Sequence, residues 1–136
     1  MSGFDPNYVH VNHFFIVGGK AIVLNSENKI LVMKRATEMS GKWSLPGGAL
    51  DEGEDPVDGI RREIMEEVQI TVTEPKPYHV KLNKTGSGDS AVVIGYVCKA
   101  ESENVVLNWE HTEFKWVTKD DGLTLDLTVD GRVFLE

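Results

Sequence analysis

Residues 48–70 read GALDEGEDPVDGIRREIMEEVQI, and this segment predicts a helix with an unusual distribution of charge. Asp55 can cap a helix start and Pro56 suits the first helical position, so we expect a helix from Pro56 to Val68. On a helical wheel of about 100° per residue, the apolar side chains form one arc. Three glutamates lie along the edge of that arc: Glu63, Glu66 and Glu67.

Acidic residues dominate the same segment. Between Asp51 and Glu67 there are eight acidic and two basic residues, a net charge of −6 in 17 residues. A solvated acidic helix is the usual explanation of such a run, but glutamates three and four residues apart repel one another. Their position beside the buried arc therefore indicates a bound cation. The candidate ligands are hard oxygen donors, which favours Mg²⁺, or alternatively Mn²⁺, over zinc. His10 and His13 have a spacing seen in metal sites, but a histidine pair alone is weak evidence.

Length and composition favour one globular domain. The chain has 136 residues, 40% hydrophobic and 26% charged, which is close to average globular usage, and we expect residues 1–136 to form a single domain. The net charge of −8 argues against general binding of nucleic acid or anionic membranes. An anionic ligand would then need a positive intermediary such as a divalent metal. The single cysteine, Cys98, excludes an intrachain disulfide and is expected to be an inert core thiol.

No targeting or membrane-spanning segment is expected. Residues 1–11 lack a basic region followed by an apolar run, so they do not resemble a signal peptide. The longest apolar stretch, residues 14–24, is interrupted by two glycines and a lysine and is too short to cross a bilayer. We therefore expect a cytoplasmic protein without a membrane partner, acting as a monomer or homodimer.

The rest of the chain predicts a β-rich protein. Strands are expected at residues 11–24, 30–35, 43–45, 71–84, 90–100 and 113–118. Tight turns are expected at residues 46–48, Pro-Gly-Gly, and at residues 86–89. Residues 36–42 read as a loop, and residues 122–136 give mixed signals that predict no element.

The spacing of residues in the acidic segment resembles the Nudix box of the Nudix hydrolase superfamily, the MutT-like pyrophosphohydrolases. The family pattern is Gly-x5-Glu-x7-Arg-Glu-U-x-Glu-Glu-x-Gly-U, where U is a bulky aliphatic residue. The residues from Gly48 to Ile70 match every defined position except one, because Gln69 stands where the family usually has glycine. Residues 43–48 and 110–117 also resemble the family's sequence on either side of the box.

The resemblance implies both a fold and a reaction. The implied fold is α/β (α+β): a mixed β-sheet sandwiched between helices, with a loop–helix–loop metal motif. The implied reaction is Mg²⁺-dependent hydrolysis of a nucleoside diphosphate linked to another moiety, by attack of water on phosphorus. The expected partner is therefore a small-molecule nucleotide.

Carried over residue by residue, the resemblance also implies the composition of the site. The expected metal ligands are one backbone carbonyl and four carboxylates: Gly48, Glu54, Glu63, Glu66 and Glu67. Glu54 would hold the metal's water shell or structure the loop. The expected catalytic group is Glu66, Glu67, Arg62 and Glu113. In that group Arg62 would orient a glutamate through a salt bridge, and Glu67 is the first choice of general base. Glu113 and Glu110 are the second choice, although surface charge explains them equally well.

Other residues have two readings. Arg35 ends the second predicted strand, where several family members contact substrate phosphate, but exposed strand ends are often basic anyway. Four aromatic side chains could stack on a base or fill the core, and core is the commoner role. They are Phe14, Phe15, Tyr78 and Trp109.

The absence of certain sequence features reduces the number of candidate substrate classes. Residues 81–90 contain neither the proline typical of members that act on ADP-ribose nor the tyrosine typical of those that act on dinucleoside polyphosphates. Residues 36–42 carry no coenzyme A signature. Nucleoside triphosphates, including oxidised ones, or nucleotide sugars remain.

Two other functions are weighed against hydrolysis. A non-catalytic nucleotide-binding module would have lost box glutamates, and none is lost here. An isopentenyl diphosphate isomerase would need a cysteine and histidine metal site, which one cysteine and four scattered histidines do not favour.

The departure at Gln69 makes a conformational prediction. The family glycine lies just past the helix, where the chain usually turns through positive φ. We predict positive φ at Gln69, with a different helix end and negative φ as the alternative.

Overall fold

A computed structural model describes residues 3, 5–9, 13–85 and 87–136. Parts of three predictions lie outside this description: His10 of the histidine pair, residues 11–12 of the first predicted strand and Gly86 of the predicted turn.

Seven strands and three helices are present in the described part of the chain. The strands are β1 Ile16–Leu24, β2 Ile30–Arg35, β3 Trp43–Ser44, β4 Gly47–Ala49, β5 Lys76–Lys84, β6 Ser90–Lys99 and β7 His111–Val117. The helices are α1 Pro56–Val68, α2 Lys119–Leu123 and α3 Val129–Leu135. The sheet order is β3-β2-β1-β6-β5, with β4 on β1 and β7 on β2. The β1–β6 pair is parallel and the others are antiparallel, so the sheet is mixed.

Helices cover both faces of this sheet. Ile64 of α1 shares one core cluster with Ala21, and Phe134 of α3 shares a second cluster with Ile22. Because Ala21 and Ile22 are neighbours in β1, their side chains point to opposite faces of the sheet. The expected architecture, a mixed sheet sandwiched between helices, is confirmed.

Helix α1 has the predicted bounds. The Asp55 carboxylate accepts a hydrogen bond from the Val57 N–H at 3.0 Å, which caps the first turn. At the other end Gln69 has φ 54° and ψ 38°, a left-handed conformation, and its N–H donates to the Met65 carbonyl. The prediction of positive φ at Gln69 is confirmed.

Two predicted strands begin later than expected. β1 begins at Ile16 rather than at residue 11, because its register with β6 starts where Ile16 meets Ala91. β5 begins at Lys76 rather than at residue 71, because its register with β6 starts where Lys76 meets Val97. Before it, Val72 forms an isolated bridge with Ala100.

The predicted tight turn at residues 46–48 is wrong. Gly47 and Gly48 belong to β4, which pairs with β1. A Cβ at Gly47 would lie 2.0 Å from the Gly19 carbonyl oxygen, so glycine here permits close strand approach rather than a turn.

The C-terminal segment, for which no element was predicted, forms α2 and α3. Thr118 caps α2 by accepting from the Asp121 N–H, and Thr128 caps α3 by accepting from the Gly131 N–H. Strand β7, before them, begins at His111, two residues earlier than expected.

The expectation that most of the four aromatic residues fill the core is wrong. Phe14 is 87% exposed and Trp109 is 81% exposed, whereas Phe15 and Tyr78 are about half exposed. Phe14 and Phe15 precede the first sheet pair of β1, and Trp109 lies in the turn before β7. Cys98 is buried as expected.

Among the described residues, no helix is long and apolar enough to cross a membrane.

Candidate active site

The site is built where β4 meets α1. In the β1–β4 ladder, Gly19 faces Gly48 and Lys20 faces Gly47. A Cβ on Gly48 would lie 2.6 Å from the carboxyl carbon of Glu63. The Glu63 carboxylate therefore packs directly on the Gly48 backbone, in space that only glycine leaves open.

Glu67 is the buried carboxylate of α1. It is 6% exposed, and its Oε1 accepts a hydrogen bond from the Gly47 N–H at 2.8 Å. Burial raises the pKa of Glu67 to about 7, while the Gly47 hydrogen bond and the positive charge of Lys20 act in the opposite direction. Glu67 thus anchors β4 to the helix.

Sequence reasoning missed two partners of Glu67. His111 is buried, and its Nε2 lies 3.7 Å from Glu67 Oε2. Its Nδ1 lies 2.9 Å from Asn108 Oδ1. Asn108 Oδ1 also accepts from the Glu110 N–H and its Nδ2 donates to the Glu110 carboxylate, so Nδ1 of His111 is the donor. Burial lowers the pKa of His111. No local pattern marks Asn108 or His111, because their contact with α1 is remote in sequence.

Arg62 contacts three carboxylates that are less buried than Glu67. Its guanidinium contacts Glu54 Oε2 at 2.7 Å, Glu63 Oε1 at 3.1 Å and Glu66 Oε1 at 3.1 Å. The hydrogen bond from Arg62 lowers the pKa of Glu54 to about 2. Glu54 Oε1 also accepts from the Asp51 N–H at 3.0 Å, so Glu54 orders the loop before α1.

The three glutamates predicted as ligands share one side of α1 but differ in surroundings. Glu66 is exposed, Glu63 is half-buried and Glu67 is buried. Burial raises the pKa of Glu63. We call Glu63, Glu66 and Glu67 the carboxylate face of α1. Across the described ranges, no three acidic, histidine or cysteine side chains converge as a ready-made ligand set. The carboxylates of Glu63 and Glu66 pair with Arg62, whereas that of Glu67 accepts a hydrogen bond from Gly47.

A cleft adjoins this face. It consists of two neighbouring cavities of about 390 Å³ and 190 Å³, and Lys20 and Asp130 line both. Gly48 lines the smaller cavity and Arg35 the larger one. The cleft therefore runs from Gly48, against which Glu63 packs, to the N-terminal end of α3.

Arg35 lies where the sequence placed a phosphate contact. Its Nε is a buried nitrogen with no hydrogen-bond partner within the described part of the chain. Its Nη2 contacts the sulfur of Met39 at 3.7 Å, which is a weak acceptor. A half-buried guanidinium with an unused Nε donor at a cleft is suited to bind an anion.

The two later glutamates lie in different surroundings. Glu113 is exposed on β7 and its carboxylate pairs with Lys34 of β2 at 3.6 Å. The negative charge of Glu110 raises the pKa of both Glu63 and Glu67, so Glu110 is the closer to the carboxylate face in its electrostatic effect.

Comparison with known proteins agrees with this geometry. A model of the NUDIX domain matches residues 17–136. The nucleoside triphosphatase NudI of Enterobacter sp. (strain 638) is 29% identical over 124 residues, which cover 82% of this chain and 88% of that protein. The crystal structure of a MutT protein from Methanosarcina mazei Go1 has a TM-score of 0.78 at 25% identity, covering 93% of this chain and 94% of that one. A MutT NUDIX hydrolase from Burkholderia pseudomallei has a TM-score of 0.74 at 28% identity, covering 90% and 97%.

This chain belongs to the Nudix family. It is a Nudix hydrolase, an enzyme that acts on phosphoric anhydride bonds. Members of the family bind small nucleotide substrates and generally use divalent metal ions.

Proposed function

We propose that this protein, as a single domain over residues 1–136, is a Mg²⁺-dependent pyrophosphohydrolase of nucleoside triphosphates, including oxidised ones. The observation that carries the proposal is the packing of Glu63, from the carboxylate face, on Gly48, which lines a cleft that Lys20 and Arg35 also line. Such a site pairs metal-binding oxygens with cations that can hold phosphate. The NudI relative, named a nucleoside triphosphatase, supports triphosphates over nucleotide sugars.

The donor chemistry fits Mg²⁺. The carboxylates of the face and the neighbouring Gly48 backbone carbonyl offer hard oxygens, and the packing of Glu63 on Gly48 brings two of these groups together. We propose that Glu63, Glu66, Glu67 and the Gly48 carbonyl hold the metal, with Mn²⁺ as a substitute. Bound Mg²⁺ would neutralise phosphate charge and lower the pKa of a coordinated water.

The protein's own groups have distinct proposed roles. Glu67 would take the proton of the attacking water, and its hydrogen bond to Gly47 supports this role by holding the carboxylate beside β4. Arg62 orients Glu63 and Glu66, and Glu54 orders the loop through Arg62.

Two further roles concern the substrate and the choice of base. The unused Arg35 donor would bind a phosphate oxygen. Glu113 stays a second candidate for the base. A cytoplasmic location and a monomeric or homodimeric state stay predictions.

The experiment is a substrate panel with identified products. Nucleoside triphosphates, nucleotide sugars and ADP-ribose are each incubated with the protein in Mg²⁺ and, separately, in excess chelator, and the products are identified by mass. We expect the triphosphates to be consumed fastest, yielding nucleoside monophosphate, and only in Mg²⁺. Faster turnover of nucleotide sugars would overturn the proposed substrate class.

A further inference from the structure

Two cations face the same cavity although the chain as a whole is acidic. Lys20 of β1 and Arg35 at the end of β2 both line the larger cavity of the cleft. The positive charge of Arg35 lowers the pKa of Lys20, so the two groups repel each other across this space. An anion placed between them would relieve that repulsion.

Lys20 is incompletely satisfied by the protein. Its Nζ donates one hydrogen bond, to the Leu45 carbonyl at 3.3 Å, among the contacts of the described residues. An ammonium group has three N–H donors. Desolvation lowers the pKa of Lys20, and the charges of Glu67, Asp130 and Glu63 oppose that effect. Two N–H donors of Lys20 thus have no partner among the described residues, and the residue lines both cavities.

Lys20 lies where the two cavities of the cleft meet. Its backbone pairs with Gly47 of β4, the residue that donates to Glu67, so Lys20 and Glu67 are held by the same strand. Lys20 also lines both cavities, and Gly48 lies on one side of it and Arg35 on the other. A diphosphate reaching from the carboxylate face towards Arg35 would have to pass the Lys20 ammonium.

We propose that Lys20 is a substrate-positioning residue that binds the diphosphate beside the carboxylate face, with Arg35 as its partner on the far side. The inference rests on the proposed hydrolysis of nucleoside triphosphates. Lys20 donates hydrogen bonds to non-bridging phosphate oxygens and takes no proton from the attacking water. By holding the phosphates it aligns the scissile P–O bond with Glu67.

The test compares three lysine variants with the wild type. Lys20→Met removes the charge but keeps most of the side-chain length, and Lys20→Arg keeps the charge. Lys29→Met is the matched control, because Lys29 pairs with Glu27 beside the β1–β2 turn and its loss changes the net charge equally. Binding of pyrophosphate and of a non-hydrolysable nucleoside triphosphate is measured by calorimetry in excess chelator, so that no bound metal contributes. Melting temperatures and steady-state kinetics in Mg²⁺ are measured in parallel.

We expect Lys20→Met to weaken binding of both probes by about 10-fold to 100-fold, as for a lost hydrogen bond to a charged group. Its KM should rise, the melting temperature should change little, and Lys20→Arg should recover much of the affinity. Lys29→Met should bind both probes like the wild type.

Other outcomes separate the two proposals. Wild-type affinity in Lys20→Met, or an equal loss in Lys29→Met, would overturn the role of Lys20 while leaving the proposed function intact. A large fall in melting temperature in Lys20→Met, with no rescue in Lys20→Arg, would show that Lys20 only stabilises the fold through Leu45. That result would also overturn the proposed role of Lys20. If the wild-type protein hydrolyses no triphosphate in Mg²⁺, the proposed function itself fails.

Discussion

The Glu67 carboxylate is buried, and it accepts a hydrogen bond from the backbone of β4. The Gly47 N–H donates to it, and His111 faces it from β7. These partners keep its side chain in one place without metal. Its replacement therefore tests chemistry more than folding.

Glu67→Gln should retain the fold and lower triphosphate turnover in Mg²⁺ by about 10²- to 10⁴-fold, the contribution expected of a positioned acid–base group. In excess chelator its melting temperature should hold or rise, because one charge is removed from a set of mutually repelling carboxylates. Kinetics and thermal unfolding check both points. Asp58→Asn is the matched control, since Asp58 is an exposed acid on the same helix. Turnover at the wild-type rate in Glu67→Gln would contradict the assigned role.

Gln69 carries backbone strain that glycine would not. Its φ of 54° costs a residue with a Cβ about 1 kcal/mol. Gln69→Gly should therefore raise the free energy of unfolding by up to about 1 kcal/mol in urea titrations. Asn28, with φ 58°, is the matched control position. Asparagine tolerates positive φ better than glutamine does, so Asn28→Gly should raise the free energy of unfolding by less than Gln69→Gly. A loss of stability in Gln69→Gly would argue against strain at this position.

The Cys98 thiol should be unreactive while the protein is folded. Burial raises its pKa to about 12, so it stays protonated at pH 8. The unfolded thiol ionises near a pKa of about 8.5. The folded state thus keeps this proton over a range where the unfolded state loses it, and stability should fall as pH rises from about 8.5 towards 12. A chromogenic disulfide reagent at pH 8 should label Cys98 in urea at once and the native protein only at its unfolding rate. Rapid labelling of the native protein would show that the thiol is accessible.

Single residues with remote partners were the hardest to predict. Glu67 accepts a hydrogen bond from Gly47, twenty positions away, and Lys20 donates one to Leu45, twenty-five positions away. A single sequence contains no local signal for such contacts. The box glutamates could be predicted because their spacing is local to one helix.

At the scale of elements, β4 lies against α1, and its two glycines have different reasons to lack a side chain. A Cβ on Gly48 would meet the end of the Glu63 side chain at 2.6 Å, which can move. A Cβ on Gly47 would meet the Gly19 carbonyl oxygen at 2.0 Å, which cannot move without breaking the β1–β4 ladder.

The two glycines should therefore respond differently to alanine. Gly48→Ala should displace Glu63, weaken Mn²⁺ binding measured by electron paramagnetic resonance, and leave the melting temperature nearly unchanged. Gly47→Ala should destabilise the fold by about 3 kcal/mol through overpacking and a disfavoured φ of 148°. If both variants lose stability equally and bind Mn²⁺ normally, Glu63 does not depend on the space above Gly48.

Elements with strong local signals were predicted and the others were not. α1 has a cap, a proline and regular apolar spacing, so both of its ends were correct. β2 and β6 are apolar runs bounded by turns, and they also lie where expected. β4 was missed because glycines signal a turn locally, whereas here they permit close strand pairing. The short helices α2 and α3 gave only threonine caps as a sequence signal.

At the scale of the whole molecule, a cleft lined mainly by cations lies next to the most acidic part of the chain. The chain has a net charge of −8, yet the cleft beside Gly48 is lined by Lys20, Arg35 and Lys84, together with Asp130. A divalent cation would complement the acidic part, and a nucleotide polyphosphate would complement the cations of the cleft. The acidic part could be predicted from the sequence, since its residues are contiguous. The cations come from β1, β2 and β5, and they lie near one another only in the folded chain.

The most direct measurement is phosphorus NMR of a nucleoside triphosphate incubated with the wild-type protein, with Mg²⁺ and then with excess chelator. We expect nucleoside monophosphate and pyrophosphate to appear together in equal amounts in Mg²⁺, and turnover to stop on chelation. Full turnover in excess chelator, or orthophosphate as the sole phosphorus product released, would contradict metal-dependent attack within the polyphosphate.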